Sequence, residues 1–336
     1  MQIRALDLAD DTLMSAAGEL VVRSWREGRP HAPAYSPRDW VADQRSPDSG
    51  ESQDLVGCTD ETGRLLGVGI LYLFLLDNRD KGWLEIDVDP AHRRHGVGSL
   101  LLRHLLDIAH ADGRAQVLID AKVPFAEITT HGYRRFAEGH GFTYSNVEVV
   151  RHLALPVPGA QLDAWAAEAA AQAGREGGFR IETHVNEFPE ELRESLCVLL
   201  GQLGVDAPTG AADFEEEQVT PQRFDERYAA VQAAGRDLFE TVAVTPDGVV
   251  AAQTTIVAPR STNDAFQWGT FVHREHRGHR LGLAVKVANL RAVQGRSPHL
   301  RRAVTQNAET NSWMVAINDQ MGFEPVEATL ELLRTL

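Results

Sequence analysis

Short apolar runs typical of β-strands occupy residues 64–76 and residues 83–88, and a turn-forming segment at residues 60–63 precedes the first of them. After Asp89 and Pro90 the apolar residues recur at helical spacing, at Leu101, Leu102, Leu105, Leu106 and Ala109. The pattern predicts two adjacent strands that lead through a basic loop into an amphipathic helix.

The same order of elements returns in the second half of the chain. In the first half, a strand at 116–120, a helix at 128–138 and a strand at 147–155 complete the series. In the second half we expect strands at 241–244, 249–257 and 266–272, a helix from 281, a strand at 302–305, a helix at 311–320 and a final strand from 326.

Landmark residues of the two halves are separated by nearly constant distances. Gly63 and Gly248 are 185 residues apart, Val88 and Val272 are 184 apart, and Gly141 and Gly322 are 181 apart. A period this long indicates a duplicated domain rather than a solenoid of short repeats. We expect an N-terminal domain at residues 1–157, a helical linker at 158–178 and a C-terminal domain at 179–336.

The composition agrees with two globular domains and disfavours nucleic-acid binding and membrane insertion. A chain of 336 residues is long enough for two cores, and its formal charge of −15 opposes a nucleic-acid partner. An acidic protein would instead attract cationic amines. No apolar run or leader favours a membrane or a secretory route, so we expect a cytoplasmic protein. Cys58 and Cys197 lack the spacing of a metal or redox pair and are expected to be buried thiols.

The loop between strand and helix in the first copy has the composition of a phosphate site. Free amides at a helix N-terminus attract anions, glycines allow close approach, and arginines add charge. Neither copy has the Lys-Ser/Thr ending of a nucleotide loop, and the preceding strands do not fit a dinucleotide fold. The candidate residues are Arg93, Arg94, His95, Gly96, Val97, Gly98 and Ser99.

This loop resembles the Arg/Gln-x-x-Gly-x-Gly/Ala acyl-CoA loop of the GNAT acetyltransferase family. Arg93, Gly96 and Gly98 match it fully, and the Gly-Phe pair at 141–142 resembles the one after the last helix of the family. The second copy matches with one departure, since Arg280 stands where glycine is usual. That arginine either weakens access for the pyrophosphate or offers its amide and grips the anion. The second set of candidates is Arg277, Gly278, His279, Arg280, Leu281, Gly282 and Leu283.

The resemblance implies an α/β (α+β) protein with two GNAT-like domains, each a mixed, mostly antiparallel sheet flanked by helices. It implies the tandem form of the family, similar to the mycothiol synthase architecture. The expected activity is transfer of an acetyl or other acyl group from acetyl-CoA to a small-molecule amine in a ternary complex, without a metal. Strand amides near Val88 and Val272 would hold the acyl arm. The alternative is a non-catalytic acyl-CoA sensor or scaffold, and either form would be a monomer or a homodimer.

Candidate catalytic groups differ between the copies. Glu85 and Asp87 lie on the strand before the first loop, whereas the aligned places in the second copy hold Gly269 and Phe271. There the nearest candidates are Glu240 and Glu309, neither of which is placed by spacing alone. The second copy alone carries Asn307 and Asn311, which resemble an Asn-containing segment of the family, so we expect catalysis there. The tyrosine that commonly protonates the leaving thiolate in the family is replaced by Ala137 and Asn318, which leaves Asn318 as a candidate.

Simpler interpretations remain open for several of these residues. Glu85 and Asp87 could form a solvated strand face, and Asn307 and Asn311 could cap the following helix. The histidines at 273, 276 and 279 have no carboxylate or thiol at matching spacing, which disfavours a metal site. The acidic run at 215–217 is typical of solvated surface, and the alternative is the entrance of an amine site.

Overall fold

The computed structural model describes residues 1–46, 48–173, 178–206 and 208–336. These residues form two compact units. Unit 1 comprises residues 1–148, 209–215 and 326–336, and unit 2 comprises residues 149–208 and 216–325. In the described residues no helix has both the length and the apolar character needed to cross a membrane.

Unit 1 is built on a mixed sheet with strand order β1-β2-β3-β4-β5-β12. Its elements are β1 (Gln2–Ala5), α1 (Asp11–Arg26), α2 (Pro37–Gln44), β2 (Glu51–Thr59), β3 (Leu65–Phe74), β4 (Lys81–Val88), α3 (Val97–Ala111), β5 (Gln116–Val123), α4 (Gly132–Gly139) and β12 (Glu324–Thr335). Strand β6 (Thr143–Ala154) contributes its residues 143–148 to this unit.

Two cores cover the opposite faces of this sheet. Leu101, Leu102 and Leu105 of α3 pack on one face, where the helical spacing predicted them. Met14 and Leu20 of α1 pack on the other, against Leu55 and Ile70. The sequence analysis did not predict α1 and α2. These two helices cover the sheet face on which the candidate carboxylates lie.

Unit 2 repeats this arrangement with strand order β7-β8-β9-β10-β11-β6. Its elements are α5 (Gly159–Ala173), β7 (Arg180–Val185), α6 (Glu190–Gly201), α7 (Leu203–Asp206), α8 (Pro221–Ala233), β8 (Arg236–Val244), β9 (Val250–Pro259), β10 (Asp264–Val272), α9 (Leu281–Arg296), β11 (Arg302–Ala308) and α10 (Ser312–Gln320). Helix α9 lies on one face with the core around Phe239 and Leu290, and α6 and α8 lie on the other.

The predicted fold class is confirmed, since each unit is a mixed, mostly antiparallel sheet flanked by helices. The compact units divide the chain differently from the contiguous domains expected from the repeat. The C-terminal residues 326–336 belong to unit 1, because β12 pairs with β5 from Ala328 to Thr335. The predicted linker helix is α5, which belongs to unit 2 and packs through Leu162 and Trp165, whereas residues 174–177 lie outside the described residues. Cys58 and Cys197 are buried thiols, as predicted.

Candidate functional site

The phosphate-type loop of unit 1 ends in an uncapped helix N-terminus. Gly96 is the N-cap of α3, has φ of 87°, and no side chain caps the first turn. The amides of that turn therefore have no intrahelical partner and carry the positive end of the helix dipole. A Cβ on Gly96 would have no atom within 4 Å, so the space in front of the helix is open. This geometry suits an anion.

Unit 2 makes the same turn with glycine and arginine exchanged. In unit 1 the left-handed positions are Arg94 (φ 66°) and Gly96, and in unit 2 they are Gly278 (φ 88°) and Arg280 (φ 57°). Arg280 is the N-cap of α9, again without a capping side chain. Its positive φ makes this a position that favours glycine, so the arginine is strained there.

The guanidinium of Arg280 is engaged inside unit 2. It lies 2.7 Å from a carboxylate oxygen of Glu168 and donates to Gln320 Oε1 at 3.0 Å. From the sequence, one expected role of Arg280 was to bind an anion with its side chain. These contacts occupy the guanidinium and disfavour that role. The backbone amides of the α9 N-terminus have no side-chain cap and stay available to an anion.

The first arginine of each loop braces the turn. Arg93 Nε donates to Val88 O at 3.3 Å, and Arg277 Nε donates to Val272 O at 3.4 Å. Their remaining nitrogens bind Ser24 O at 3.0 Å and Asp206 Oδ2 at 2.8 Å. Both arginines therefore hold the loop to the end of the preceding strand, which the motif alone did not reveal.

The other loop candidates fall into two groups. Arg94, His95 and Gly278 are exposed at the mouth of the loops, where they can meet an anion. Val97, Leu281 and Leu283 are buried, so only their backbone can serve a ligand. Ser99 Oγ lies 2.9 Å from His140 Nε2, and the His279 ring lies 5.6 Å from that of Phe179. Gly98 and Gly282 sit in the first helical turn, and a Cβ there would meet Phe136 at 3.4 Å and Ile317 at 3.1 Å respectively.

The strand before each loop parts from its parallel neighbour. β4 pairs with β5 only from Lys81 to Leu84, and β10 pairs with β11 only from Asp264 to Phe266. In unit 2 the register also shifts between Gln267 and Gly269. The freed strand edges leave a gap beside each loop where backbone amides can bind a ligand.

Val88 and Val272 point their amides into these gaps. Asp89 N donates to Leu66 O of β3, and His273 N donates to Ala251 O of β9. Because backbone groups of successive strand residues point to opposite edges, the amides of the preceding valines face the edge that the parallel neighbour has left. The geometry therefore gives both valines the orientation that the sequence analysis expected, while their role stays a prediction.

Glu85 and Asp87 lie at the gap of unit 1, where Asp87 is buried and Glu85 half-buried, so they are not a solvated strand face. Burial, together with the neighbouring carboxylates Asp120 and Asp87, raises the pKa of Glu85 to about 8. Burial also raises the pKa of Asp87 to about 6, although hydrogen bonds from Ser24 and from Trp25 Nε1, the latter at 3.1 Å, oppose the shift. Two carboxyls with different proton affinities thus stand side by side.

Further charged residues near Glu85 were missed by the sequence analysis. Asp120 and Lys122 of β5 form an ion pair of 3.0 Å, and Glu331 of β12 is the register partner of Asp120. Burial raises the pKa of Glu148 to about 7, with Glu331 adding to the shift. In the sequence, the alternation of Asp120 and Lys122 along β5 could have indicated these residues. Nothing in the sequence indicates Glu331, because its position beside Asp120 depends on long-range strand pairing.

Two of three comparisons with known proteins agree with this geometry. Residues 15–141 match the model of the Acetyltransferase (GNAT) family. The chain carries a GNAT-family domain. A tandem GNAT protein from the clavulanic acid biosynthesis pathway superimposes with a TM-score of 0.78 at 22% identity, over 99% of this chain and 98% of its own. No curated protein is significantly similar in sequence.

More distant structures share the same fold. A GCN5-related N-acetyltransferase from Sphaerobacter thermophilus gives a TM-score of 0.63 at 15% identity, over 99% of this chain and 95% of its own. N-myristoyltransferase from Saccharomyces cerevisiae with bound myristoyl-CoA gives 0.61 at 12% identity, over 99% and 78%. The chain therefore has the tandem GNAT fold, and acyl-CoA use is the chemistry that the family implies.

The asparagines of the second GNAT-like unit take part in contacts within the protein. Asn311 is the N-cap of α10 and accepts from Met314 N at 3.3 Å, which is the capping role left open above. Asn307 Oδ1 accepts from Asn318 Nδ2 at 2.9 Å and from Arg151 at 3.3 Å. Glu309 pairs with the same arginine at 3.4 Å. These contacts favour a structural role for the segment.

Asn318 is fully buried and binds a buried lysine. Lys286 Nζ donates to Asn318 Oδ1 at 2.9 Å and lies 4.8 Å from the centre of the Phe323 ring. Burial lowers the pKa of Lys286 to about 7. Asn318 is therefore a positioning residue for Lys286 and Asn307 in this geometry, and contact with a substrate stays a prediction.

The histidines of the second loop do not converge on a metal site. His273 Nδ1 accepts from Glu275 N at 3.3 Å, and its ring lies 5.6 Å from that of His276. Within the described ranges, no group of three potential metal ligands was found.

Proposed function

We propose that this protein transfers an acyl group, acetyl in the simplest case, from CoA to the amine of a small molecule bound in the same complex. The observation that carries the proposal is Glu85, a carboxyl of raised pKa at the point where β4 parts from β5. This assigns the chemistry to unit 1. The expectation of catalysis in the second copy rested on Asn307 and Asn311, whose contacts are explained by capping and packing.

The acyl-CoA would be held by the residues of the two loops and strand ends. Exposed Arg94 and His95 and the amides from Gly96 to Ser99 suit the pyrophosphate, and the Val88 amide suits the acyl arm. When bound, the thioester supplies an activated acyl group. The corresponding elements of unit 2 are the amides from Arg280 to Leu283 and that of Val272.

Glu85 would act as the general base. An ammonium is not nucleophilic, so it must lose a proton before it attacks a carbonyl carbon. A carboxyl with a pKa near the working pH is suited to take that proton. Asp87, held by the Trp25 indole, is the second carboxylate at the site and favours a cationic acceptor in front of it.

The acceptor would be a cationic small molecule. Asp120 and Asp87 bring negative charge to the surroundings of Glu85, and Lys122 partly offsets it. An ammonium group entering this field is stabilised, while an anionic acceptor is repelled. This selects amines over nucleic acids, in agreement with the net charge of the chain.

The test is release of the free CoA thiol from acetyl-CoA against a panel of small amines. We expect turnover with at least one amine, and a loss of about a hundredfold in kcat for Glu85→Gln. Glu61→Gln removes an exposed carboxylate of the same unit and is the matched control. Tight acetyl-CoA binding without thiol release on any amine would overturn the proposal and leave the sensor or scaffold.

A further inference from the structure

Unit 2 contains a buried carboxyl whose hydrogen-bonding capacity is incompletely used. Glu240 of β8 is 2% exposed, and Thr255 Oγ1 donates to its Oε2 at 2.8 Å. Its Oε1 has no hydrogen-bond partner among the described residues. The hydroxyl of Tyr228 in α8, which is 7% exposed, also lacks one there. Leaving buried polar atoms unpaired is costly, so their presence requires an explanation.

Unit 1 shows that the fold does not need polar groups at these positions. Glu240 and Thr255 are register partners in unit 2, and the register partners at the equivalent places of unit 1 are Leu55 and Ile70. Both are buried in the core beneath α1. Because an apolar pair packs here without a polar penalty, the polar pair of unit 2 points to a ligand.

In each unit, register partners on three neighbouring strands form a row across the sheet. A carboxylate stands at one end of this row in unit 1 and at the other end in unit 2. In unit 1 the row runs Leu55, Ile70, Glu85, and the carboxylate stands on β4 at the gap. In unit 2 the row runs Glu240, Thr255, Gly269, and the carboxylate stands two strands away from the gap. Gly269 has no side chain at the place of Glu85. A Cβ there would come no closer than 3.8 Å to a neighbouring atom.

We propose that unit 2 holds a second amine-binding site, for an amine that carries another ammonium group remote from the first. One amine group lies over Gly269, and the remote ammonium binds Glu240 Oε1 and Tyr228 OH. Adjacent strands are about 4.8 Å apart, so two strands separate the groups by about 10 Å. That span is that of a straight-chain diamine with about six carbons.

The charged and titratable groups that face Glu240 come from α8 and β7. Burial raises the pKa of Glu240 to about 7, and Arg227 opposes the shift. The Arg227 guanidinium itself lies 4.8 Å from the ring centre of Trp268. His184 of β7 continues the row as the register partner of Glu240 and lies 3.5 Å from Glu182. An ammonium would supply Glu240 with the hydrogen-bond donor that it lacks.

This inference rests on the proposed function for the CoA bound beside Gly269, but its test needs only binding. Hexamethylenediamine and n-hexylamine have the same six-carbon chain and differ in the second ammonium. We would titrate each into the full chain saturated with CoA, by calorimetry. Glu240→Leu installs the residue that unit 1 carries at this position.

We expect Glu240→Leu to lose one diamine site, or to weaken it about tenfold, with hexylamine unaffected. Tyr228→Phe removes only the hydroxyl and should weaken diamine binding several-fold. This variant tests the site if Glu240→Leu does not fold. Glu324→Gln, which removes an exposed charge of the same unit, is the control.

Diamine binding that is equal in wild type, Glu240→Leu and Tyr228→Phe would overturn the inference. Thiol release is measured in the same samples. If no amine releases thiol but the diamine still binds through Glu240, the proposed function fails while the binding site stands. If thiol release depends on Glu85 but Glu240→Leu leaves diamine binding unchanged, only the proposal of the second site fails.

Discussion

Residues in the left-handed region shape both loops. The turn into α3 or α9 needs two positions of positive φ, and the two units fill them with one glycine and one arginine in opposite order. A residue with a Cβ costs about 1–2 kcal/mol in that region. The motif in the sequence identifies Gly96 and the substitution at Arg280. Only the backbone dihedrals show that the two loops have the same conformation.

Gly96→Ala should therefore destabilise unit 1. We expect a loss of about 1–2 kcal/mol in the free energy of unfolding, because alanine is strained at φ 87°, together with weaker CoA binding. Chemical denaturation measures the first and calorimetry the second. Gly139→Ala is the control, since that glycine lies in α4 with open space around its Cβ and should lose no stability. Equal effects of the two variants would contradict the assignment.

The proton affinity of Glu85 predicts the pH dependence of turnover. Glu85 can accept a proton only when ionised, and its pKa is about 8, so kcat should rise with pH up to about 8 and then level off. Glu85→Gln should be slower at every pH and should lack this rise. The measurement is thiol release between pH 6 and 10. A rise that persists unchanged in the variant would assign the base elsewhere.

Helices α3 and α9 are equivalent elements with different interiors. Leu102 of α3 is buried in an apolar core, whereas Lys286 at the equivalent place of α9 is buried against Asn318 and Phe323. Helical spacing in the sequence predicted both helices. It did not show that Lys286 faces inward, because a lysine in an amphipathic pattern is expected on the solvated face.

Lys286→Leu should change the pH dependence of stability. The pKa of Lys286 is lowered from 10.5 to about 7, so between these values the unfolded chain binds a proton that the folded chain does not. The stability of the wild type therefore rises with pH across this range, and the variant should lack that contribution. We expect the variant to gain on the order of 2 kcal/mol at pH 6, with a smaller gain at pH 10.

The measurement is denaturant unfolding across this pH range. Lys286→Met, which keeps an unbranched chain without the charge, should behave like the leucine variant. Parallel curves for wild type and both variants would show that Lys286 titrates normally.

At the scale of the whole molecule, chain order and packing order differ. The last strand of the sequence, β12, completes the sheet of unit 1, where Leu332 is the register partner of Ile119. The 184-residue spacing shows a duplication. It does not show which sheet the final strand of each copy joins. Contiguous domains were therefore the natural expectation, and long-range pairing decided otherwise.

Leu332→Ala should destabilise unit 1 although the residue lies near the C-terminus. Leu332 is fully buried, and its truncation should cost about 3 kcal/mol. Hydrogen exchange should then accelerate in β3, β4 and β5. Leu290→Ala, a buried residue of α9, is the matched variant for unit 2. Faster exchange in β9 and β10 instead, after the Leu332 change, would contradict the assignment of β12.

The sequence by itself determined the duplication, the sheet-and-helix class, both loops and the positions of Glu85 and Val88, because these follow from local periodicity and motif spacing. The tertiary structure decided what required distant strands to meet. It buried Glu85 beside Asp120, turned Arg280 toward Glu168, and set Glu240 in line with Gly269. Proton affinities and pairing depend on burial and on neighbours far along the chain, which no local pattern encodes.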